Sequence, residues 1–309
     1  MGKIIKTVSE YESGVIGKHE FIQSMYSLHH AQLFDYSYYL SKTNIKKIEI
    51  IDDKVIMTTR DRGLKFECIP GDHRIAPIET LNFFDYEKKE STVVEKLISE
   101  SNTFFDIGAN IGFYSINLAM IKRSMNVHSF EPIPSTFHNL NRNIELNGIK
   151  NIKTHNLGFS DKKGDFDFYV YSQGSGNASS VNLTGRDDVK VLKCEVTTLD
   201  DYVSTTGLNV DFIKCDVEGA ELLVLKGGHS TIRQNLPIIF CEILRKWTEK
   251  FSYNSNDILD MLRAIGYRVF TVKGSSLIGF ESIDDSTIDT NFFFLHPQKH
   301  LHLIRRFSE

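Results

Sequence analysis

Residues 103–112, TFFDIGANIG, constrain what this chain can fold into more than any other stretch. Phe104, Phe105 and Ile107 form a short apolar run, which predicts a buried strand. Gly108, Asn110 and Gly112 follow, and a helical pattern opens at once with Phe113, Ile116 and Met120 on one face. A strand ending in a Gly-rich turn that opens a helix is the layout of a nucleotide-type cofactor site. Glycine lets the backbone adopt positive φ and pass close to a ligand. Asp106 is the discriminating residue. A carboxylate there repels a pyrophosphate and suits a ligand with a cationic or amine-bearing end. The turn also lacks the GxGxxG spacing of a dinucleotide site.

The 309 residues allow one large domain or a core with an appendage. The formal net charge of -4 shows no basic excess of the kind that nucleic-acid binding requires. Cys68, Cys194, Cys215 and Cys241 form no CxxC pair and read as reduced, buried thiols. Neither a signal peptide nor a transmembrane segment is expected, and a cytoplasmic location follows as the expectation. A homo-oligomer is compatible with the sequence.

Along the chain, residues 1–17 carry little pattern and are expected to fray. Residues 18–41 predict an aromatic-rich helix (Phe21, Met25, Leu28, Phe34, Tyr38, Tyr39) whose apolar stripe is expected to pack on the core. Runs at 45–51, 55–59 and 64–69 predict a small antiparallel sheet. A helix over 86–100 then leads into the opening strand. From there strands and helices alternate, which predicts an α/β fold with a mostly parallel sheet covered on both faces. Runs at 165–171 and 189–196 read as halves of a hairpin, and 172–188 as a polar connection or a loop over a site.

Acids fall at successive strand ends: Asp106, Glu131, Asp216 and Glu242, with Glu218 two residues past Asp216. Ligands of open α/β sheets lie beyond these ends. Helix capping accounts for one such acid, not for four in order. Glu131, about 20 residues past the Gly-rich turn, suits ribose hydroxyls. Asp216 and Glu218 are the candidate bases for a hydroxyl acceptor, with Glu242 third and His155 and His229 as alternatives. Lys214 is expected to face away from Asp216 and to make a structural ion pair. A divalent cation on Asp216, Glu218 and Glu242 is chemically conceivable, but no ligand-spacing motif supports it, and no metal is expected.

The blocks DIGANIGFYS, FEPIPSTFHNLNRNIELN, LGFSDKKG, TLDDYV, IKCDVEGAELLVLKGG, PIIFCEI and LRAIGYRVF occur in that order. Together they resemble the FkbM-type methyltransferases, class I S-adenosylmethionine-dependent enzymes that mostly methylate hydroxyl oxygens. The resemblance implies a Rossmann-like methyltransferase core with a mostly parallel seven-stranded sheet over residues 86–309, preceded by a small α+β extension over 1–85. It implies that Asp106, Gly108, Asn110 and Gly112 hold the methionine part of S-adenosyl-L-methionine. Glu131 would take the ribose, and Phe159, Ser160 and Asp161 would lie by the adenine. Asp216, Glu218 and Glu242 would face the acceptor. The segment RIAPIETLNFFDYEKKE resembles extensions on relatives tied to surface-polysaccharide synthesis, so a sugar or glycan hydroxyl is the expected acceptor. The competing reading is a catalytically inactive S-adenosylmethionine-binding module with an assembly role. The intact acids at every strand end disfavour it.

Overall fold

The computed structural model describes residues 2–171, 174–186 and 189–308. Three helices open the chain: α1 (Lys3–Glu12), α2 (Lys18–Met25) and α3 (Ala31–Tyr39), the last two joined by a π-helical turn at Tyr26–His30. The expected fraying of residues 1–17 is therefore corrected. α1 folds back on α2, with Tyr11 and Phe21 stacked at 4.4 Å between ring centroids. The expected packing of the aromatic stripe on the core is corrected too, since Tyr26, Leu28, Phe34 and Tyr38 are all more than half exposed. Periodicity gives a helix an apolar face; it does not supply the surface that covers it.

β1 (Ile45–Ile51), β2 (Lys54–Thr59) and β3 (Lys65–Cys68) form the small antiparallel sheet. It leads into α4 (Ala76–Phe83), which the sequence reading missed, and α5 (Lys88–Leu97). Leu64, Phe66, Ile75 and Ala76 share one apolar cluster with Phe104 and Phe212 of the main sheet. Asn143 and Asn147 fasten the segment further, their side-chain carbonyls accepting from the Glu67 and Lys65 amides at 2.9 Å each.

The main body then alternates. β4 (Thr103–Ile107), α6 (Phe113–Ile121), β5 (Asn126–Phe130), α7 (Pro134–Leu146) and β6 (Ile152–His155) come first. An insertion follows with β7 (Gly158–Phe159), β8 (Gly164–Tyr171), β9 (Gly174–Ser179) and β10 (Lys190–Thr197). Next are α8 (Leu199–Thr206), β11 (Phe212–Cys215), α9 (Glu221–Gly227), α10 (His229–Asn235) and β12 (Ile238–Glu242). The chain ends with α11 (Arg245–Thr248), α12 (Ser255–Ile265), β13 (Arg268–Lys273), β14 (Ser276–Gly279), β15 (Asn291–Leu295) and α13 (Pro297–Phe307).

The large sheet runs in the order β14-β13-β15-β12-β11-β4-β5-β6. The five strands β12, β11, β4, β5 and β6 are parallel, and β15, β13 and β14 are antiparallel. This is the expected mostly parallel α/β sheet with one strand more than seven. The extra strand is the short β14, which closes a hairpin with β13 and has too few apolar residues to read as a strand. The insertion makes a second sheet in the order β7-β10-β8-β9, and the expected hairpin is there as antiparallel β8 and β10. Part of the expected polar connection is β9; residues 172, 173, 187 and 188 lie outside the described ones.

Because both faces of the sheet are covered, alternate residues of one strand enter two different cores. Phe104, Phe212, Phe240 and Phe293 point to one, and Phe105, Ile213, Ile239, Phe292 and Phe294 to the other. The four cysteines are free thiols, three of them buried, as the sequence leads one to expect. Burial pushes the Cys68 thiol up to about 12 and the Cys194 thiol up to about 11, which keeps both unreactive.

Candidate active site

The chain leaves β4 outward to β5 and β6, then returns to β11 on the other side of β4. The crevice between β4 and β11 is thus the topological switch point, where ligands of such sheets bind. Gly108 makes the close approach possible. Its φ is 77°, and a Cβ there would sit 1.8 Å from the Asp216 carbonyl oxygen. A cleft opens above this point. Gly108, Asn110 and Glu131 line it, with Phe159 and Ser160 further along and Asp216 and Glu218 at the near end.

Glu131 follows β5, buried at 6% exposure. Its carboxylate accepts from the Asn110 amide at 3.1 Å and the Ile133 amide at 3.0 Å. Burial pushes the acid up to about 7 against the pull of those two amides. Asn110 turns with φ 49°, a left-handed conformation that asparagine tolerates better than most residues. Phe166, Phe168 and Val196 from the insertion, with Pro132, Ile133 and Phe159, give the far end an apolar wall.

Three of the expected cofactor residues do not line this cleft, although Asp106 borders a smaller cavity beside it with Gly108, Asn110 and Asp216. Asp106 is a residue inside β4, 1% exposed, and does not line the cleft. It accepts from the Ser115 amide at 3.1 Å and the Ser115 hydroxyl at 2.6 Å, and faces the Lys214 ammonium at 3.7 Å. Burial raises its pKa, tempered by Lys214 and Ser115. Gly112 (φ 92°) serves packing, since a Cβ would meet Leu140 at 2.5 Å. Asp161 is exposed and accepts from the Ser160 hydroxyl at 3.2 Å.

Lys214 does not face away from Asp216. Residues two apart on a strand share a face, and Asp106 is the registered partner of Lys214 on β4. The ammonium therefore meets Asp216 at 3.0 Å, the Gly108 carbonyl at 3.1 Å and Asp106 beyond. Burial pulls its pKa down, but the Asp216 and Asp106 carboxylates outweigh this and hold it above the ordinary lysine value.

A second cavity, of about 260 Å³, adjoins the first, and Asn110, Asp216 and Glu218 line both. Glu242, at the end of β12, lines this second cavity, as do Glu87 and Asp85 from the segment before α5. Cys215 and Cys241 are paired in register on β11 and β12, so Asp216 and Glu242, one residue past each, arrive side by side. Glu218 stands in a left-handed turn, φ 54°. Burial, then the Asp216 charge, raises both the Glu218 and Glu242 carboxyls well above the ordinary value.

Two acids escaped the sequence reading. Glu87 accepts from the Tyr114 hydroxyl at 2.5 Å, and burial pushes it up to about 7. Nothing in the local sequence marks it, because it reaches the site only through the packing of the segment before α5. Glu221 accepts from the Val217 and Gly219 amides at 3.0 Å each and so fixes the loop that carries Glu218. Its place in the VEGAE run was the available signal.

Neither alternative histidine lines the cleft. His229 is exposed at the start of α10. His155 stacks on Phe130 at 4.6 Å and on His128 at 5.4 Å, with 3.2 Å between their ring nitrogens. Burial lowers both histidines to about 4. Between pH 6.5 and 4 the unfolded chain thus binds protons there that the folded chain refuses, so this pair makes the fold less stable as pH falls. Urea melts of wild type and His155→Gln at pH 6.5 and 4.5 check this. The variant is expected to lose less stability over that interval, and an equal loss rejects the assignment.

A doubly wound α/β protein with a cleft at its switch point and an acidic cavity joined to it is the class that fold and site define. Residues 106–269 match the methyltransferase FkbM domain, and the chain belongs to that family. It is 26% identical over 161 residues to Methyltransferase 1 of Beauveria bassiana, covering 44% of this chain and 64% of that one. It is 27% identical over 161 residues to the 2-O-methyltransferase NoeI of Sinorhizobium fredii, covering 47% and 65%. It is 27% identical over 157 residues to the hexuronic acid methyltransferase AglP of Haloferax volcanii, covering 50% and 62%. The chain thus spans a little under two thirds of these relatives. Among solved structures, an FkbM methyltransferase from Methylobacillus flagellatus is similar at 21% identity and a TM-score of 0.40, over 63% of this chain and 43% of that one. The cofactor of a methyltransferase of this family is S-adenosylmethionine, and the residues present fit it. The turn at Gly108 admits a ligand against bare backbone, the buried Glu131 can accept from ribose hydroxyls, and the apolar wall suits a purine. No described helix is long and apolar enough to cross a membrane.

Proposed function

We propose that the chain is an S-adenosylmethionine-dependent O-methyltransferase acting on a hydroxyl of a sugar or glycan. The observation that carries the reading is the shared wall: Asn110, Asp216 and Glu218 line both the cofactor cleft and the acidic cavity beside it. A methyl group leaving one cavity enters the other across these residues. The relatives named as a 2-O-methyltransferase and a hexuronic acid methyltransferase support an oxygen acceptor on a sugar. Surface-polysaccharide synthesis in the cytoplasm is the setting this reading favours.

The cofactor supplies an activated methyl group on a sulfonium. Gly108 and Asn110 hold its amino-acid end, Glu131 its ribose, and Phe159 and Ser160 its base. The rest is positioning of the acceptor oxygen and removal of its proton. Asp216 must break its 3.0 Å pair with Lys214 to take that proton. Glu218 and Glu242 carry no such pair among the described residues, and burial with the Asp216 charge raises both carboxyls well above the ordinary value, which makes each a stronger base once ionised. We therefore assign Asp216 to orientation and Glu242 or Glu218 to the proton. That carboxylate would take the acceptor's hydroxyl proton as the acceptor oxygen receives the methyl group that the sulfonium supplies.

Calorimetry with S-adenosylhomocysteine tests the cofactor site. Wild type is expected to bind it, and Glu131→Ala to bind at least about 100-fold more weakly, the about 3 kcal/mol expected for two hydrogen bonds to a charged group. No heat from folded wild type, or unchanged affinity in Glu131→Ala, overturns the reading.

A further inference from the structure

The acidic cavity beside the cofactor cleft carries more carboxyl groups than it has cations to pair with. Glu79, Asp85, Glu87, Asp216, Glu218 and Glu242 line it against one arginine, Arg74. Arg74 is committed to Glu79 at 2.6 Å, and Lys214 to Asp216 and Asp106. Among the described residues no lysine or arginine pairs with Glu218 or Glu242. We infer that the carboxylates of Asp216, Glu218 and Glu242 bind a divalent metal cation, which in turn receives the hydroxyls of a polyhydroxylated acceptor.

Two independent observations carry this. The first is geometric: each of the three side chains offers one oxygen, and these oxygens all lie within 4.8 Å of one another. Two ligands on opposite sides of an ion with bonds of about 2.3–2.6 Å stand about 4.6–5.2 Å apart. The cluster is therefore compact enough for its three oxygens to share one such ion. The second observation is Glu218 Oε2, which is shut off from water and has no partner in good hydrogen-bond geometry; the Trp247 indole N–H, the donor nearest this carboxylate, is left unpaired as well. A buried carboxylate oxygen without a partner is costly, and a hard cation satisfies it without a donor from the protein.

The backbone holds the set in place. Asp216 and Glu242 leave adjacent registered strands, and Glu221 fixes the turn that presents Glu218. Three carboxylates leave some of the six to eight positions of such an ion open. Neighbouring hydroxyls of a sugar fill open positions of this kind, which places one acceptor oxygen beside the wall shared with the cofactor cleft.

The inference rests on the reading of this cavity as the acceptor site, and the experiment separates the two. The chain, stripped with EDTA and dialysed, is titrated with calcium chloride by calorimetry and with manganese chloride by electron paramagnetic resonance. S-adenosylhomocysteine is titrated into the same samples. One ion per chain is expected, bound at least about tenfold more weakly in Glu218→Gln and in Glu242→Gln, about 1.4 kcal/mol or more for each lost charge. Circular dichroism establishes that both variants are folded. No manganese bound at about 1 mM, the weak end of protein calcium sites, in chain that binds S-adenosylhomocysteine overturns the metal site and leaves the methyl-transfer reading standing. Wild-type metal affinity in both variants also overturns it. Metal binding that the variants weaken, in chain that ignores S-adenosylhomocysteine, supports the metal site and counts against the cofactor reading.

Discussion

Gly108→Ala is expected to destroy the cofactor cleft and to destabilise the chain by at least about 4 kcal/mol, the exceptional end of single-substitution effects. The added Cβ would lie 1.8 Å from the Asp216 carbonyl oxygen and 2.9 Å from its carbonyl carbon. Both are backbone atoms, so no side-chain rotation relieves the contact. β4 and β11 must part, and Lys214, which donates to the Gly108 carbonyl, must move with them. The φ of 77° adds strain of its own. Gly148→Ala separates the two causes. Gly148 has a φ of 61° and open space where its Cβ would go, so its variant carries only the left-handed penalty of about 1–2 kcal/mol. Denaturant melts of the two variants check the claim. Equal losses would show that the close approach of β4 to β11 contributes nothing beyond backbone strain.

Lys214→Met is expected to cost about 3–5 kcal/mol at neutral pH, the penalty for leaving a buried charge without its partner. Asp106 is the charge in question, 1% exposed and facing the ammonium. Its folded-state pKa is already raised by burial, and losing Lys214 removes the largest influence that holds it down. A carboxyl with a raised folded pKa binds more protons folded than unfolded, so stability falls as pH rises through that range. The deficit of the variant is therefore expected to be smallest near pH 5 and to grow toward pH 8. Adding Asp106→Asn should recover a large part of it, because the two residues act as one interaction. A deficit independent of pH, with no recovery in the double variant, would make Lys214 a packing residue only.

Much of the candidate site is legible because a parallel sheet exposes its chemistry at regular places. The glycines of the 103–112 stretch, Glu131 after β5, Asp216 after β11 and Glu242 at the end of β12 can be found by looking where an apolar run stops. Asp106 was legible as an unusual acid and not as a structural one. Its position one residue before the end of β4 decides whether the carboxylate reaches the cleft or turns into the sheet toward Lys214. That difference depends on strand register, and register involves a partner strand more than 100 residues away.

The sequence alone determines the alternating α/β layout, the strand ends and the order of the acids along them, because apolar periodicity and turn residues are local properties. Tertiary structure alone decides which of those acids meet. It brings Asp216, Glu218 and Glu242 within 4.8 Å, places Lys214 between Asp106 and Asp216, and carries Glu87 from the segment before α5 into the acidic cavity. It also leaves the aromatic face of α2 and α3 uncovered. Each of these outcomes depends on which surfaces pack together, and packing joins residues far apart in the chain, which no local pattern records.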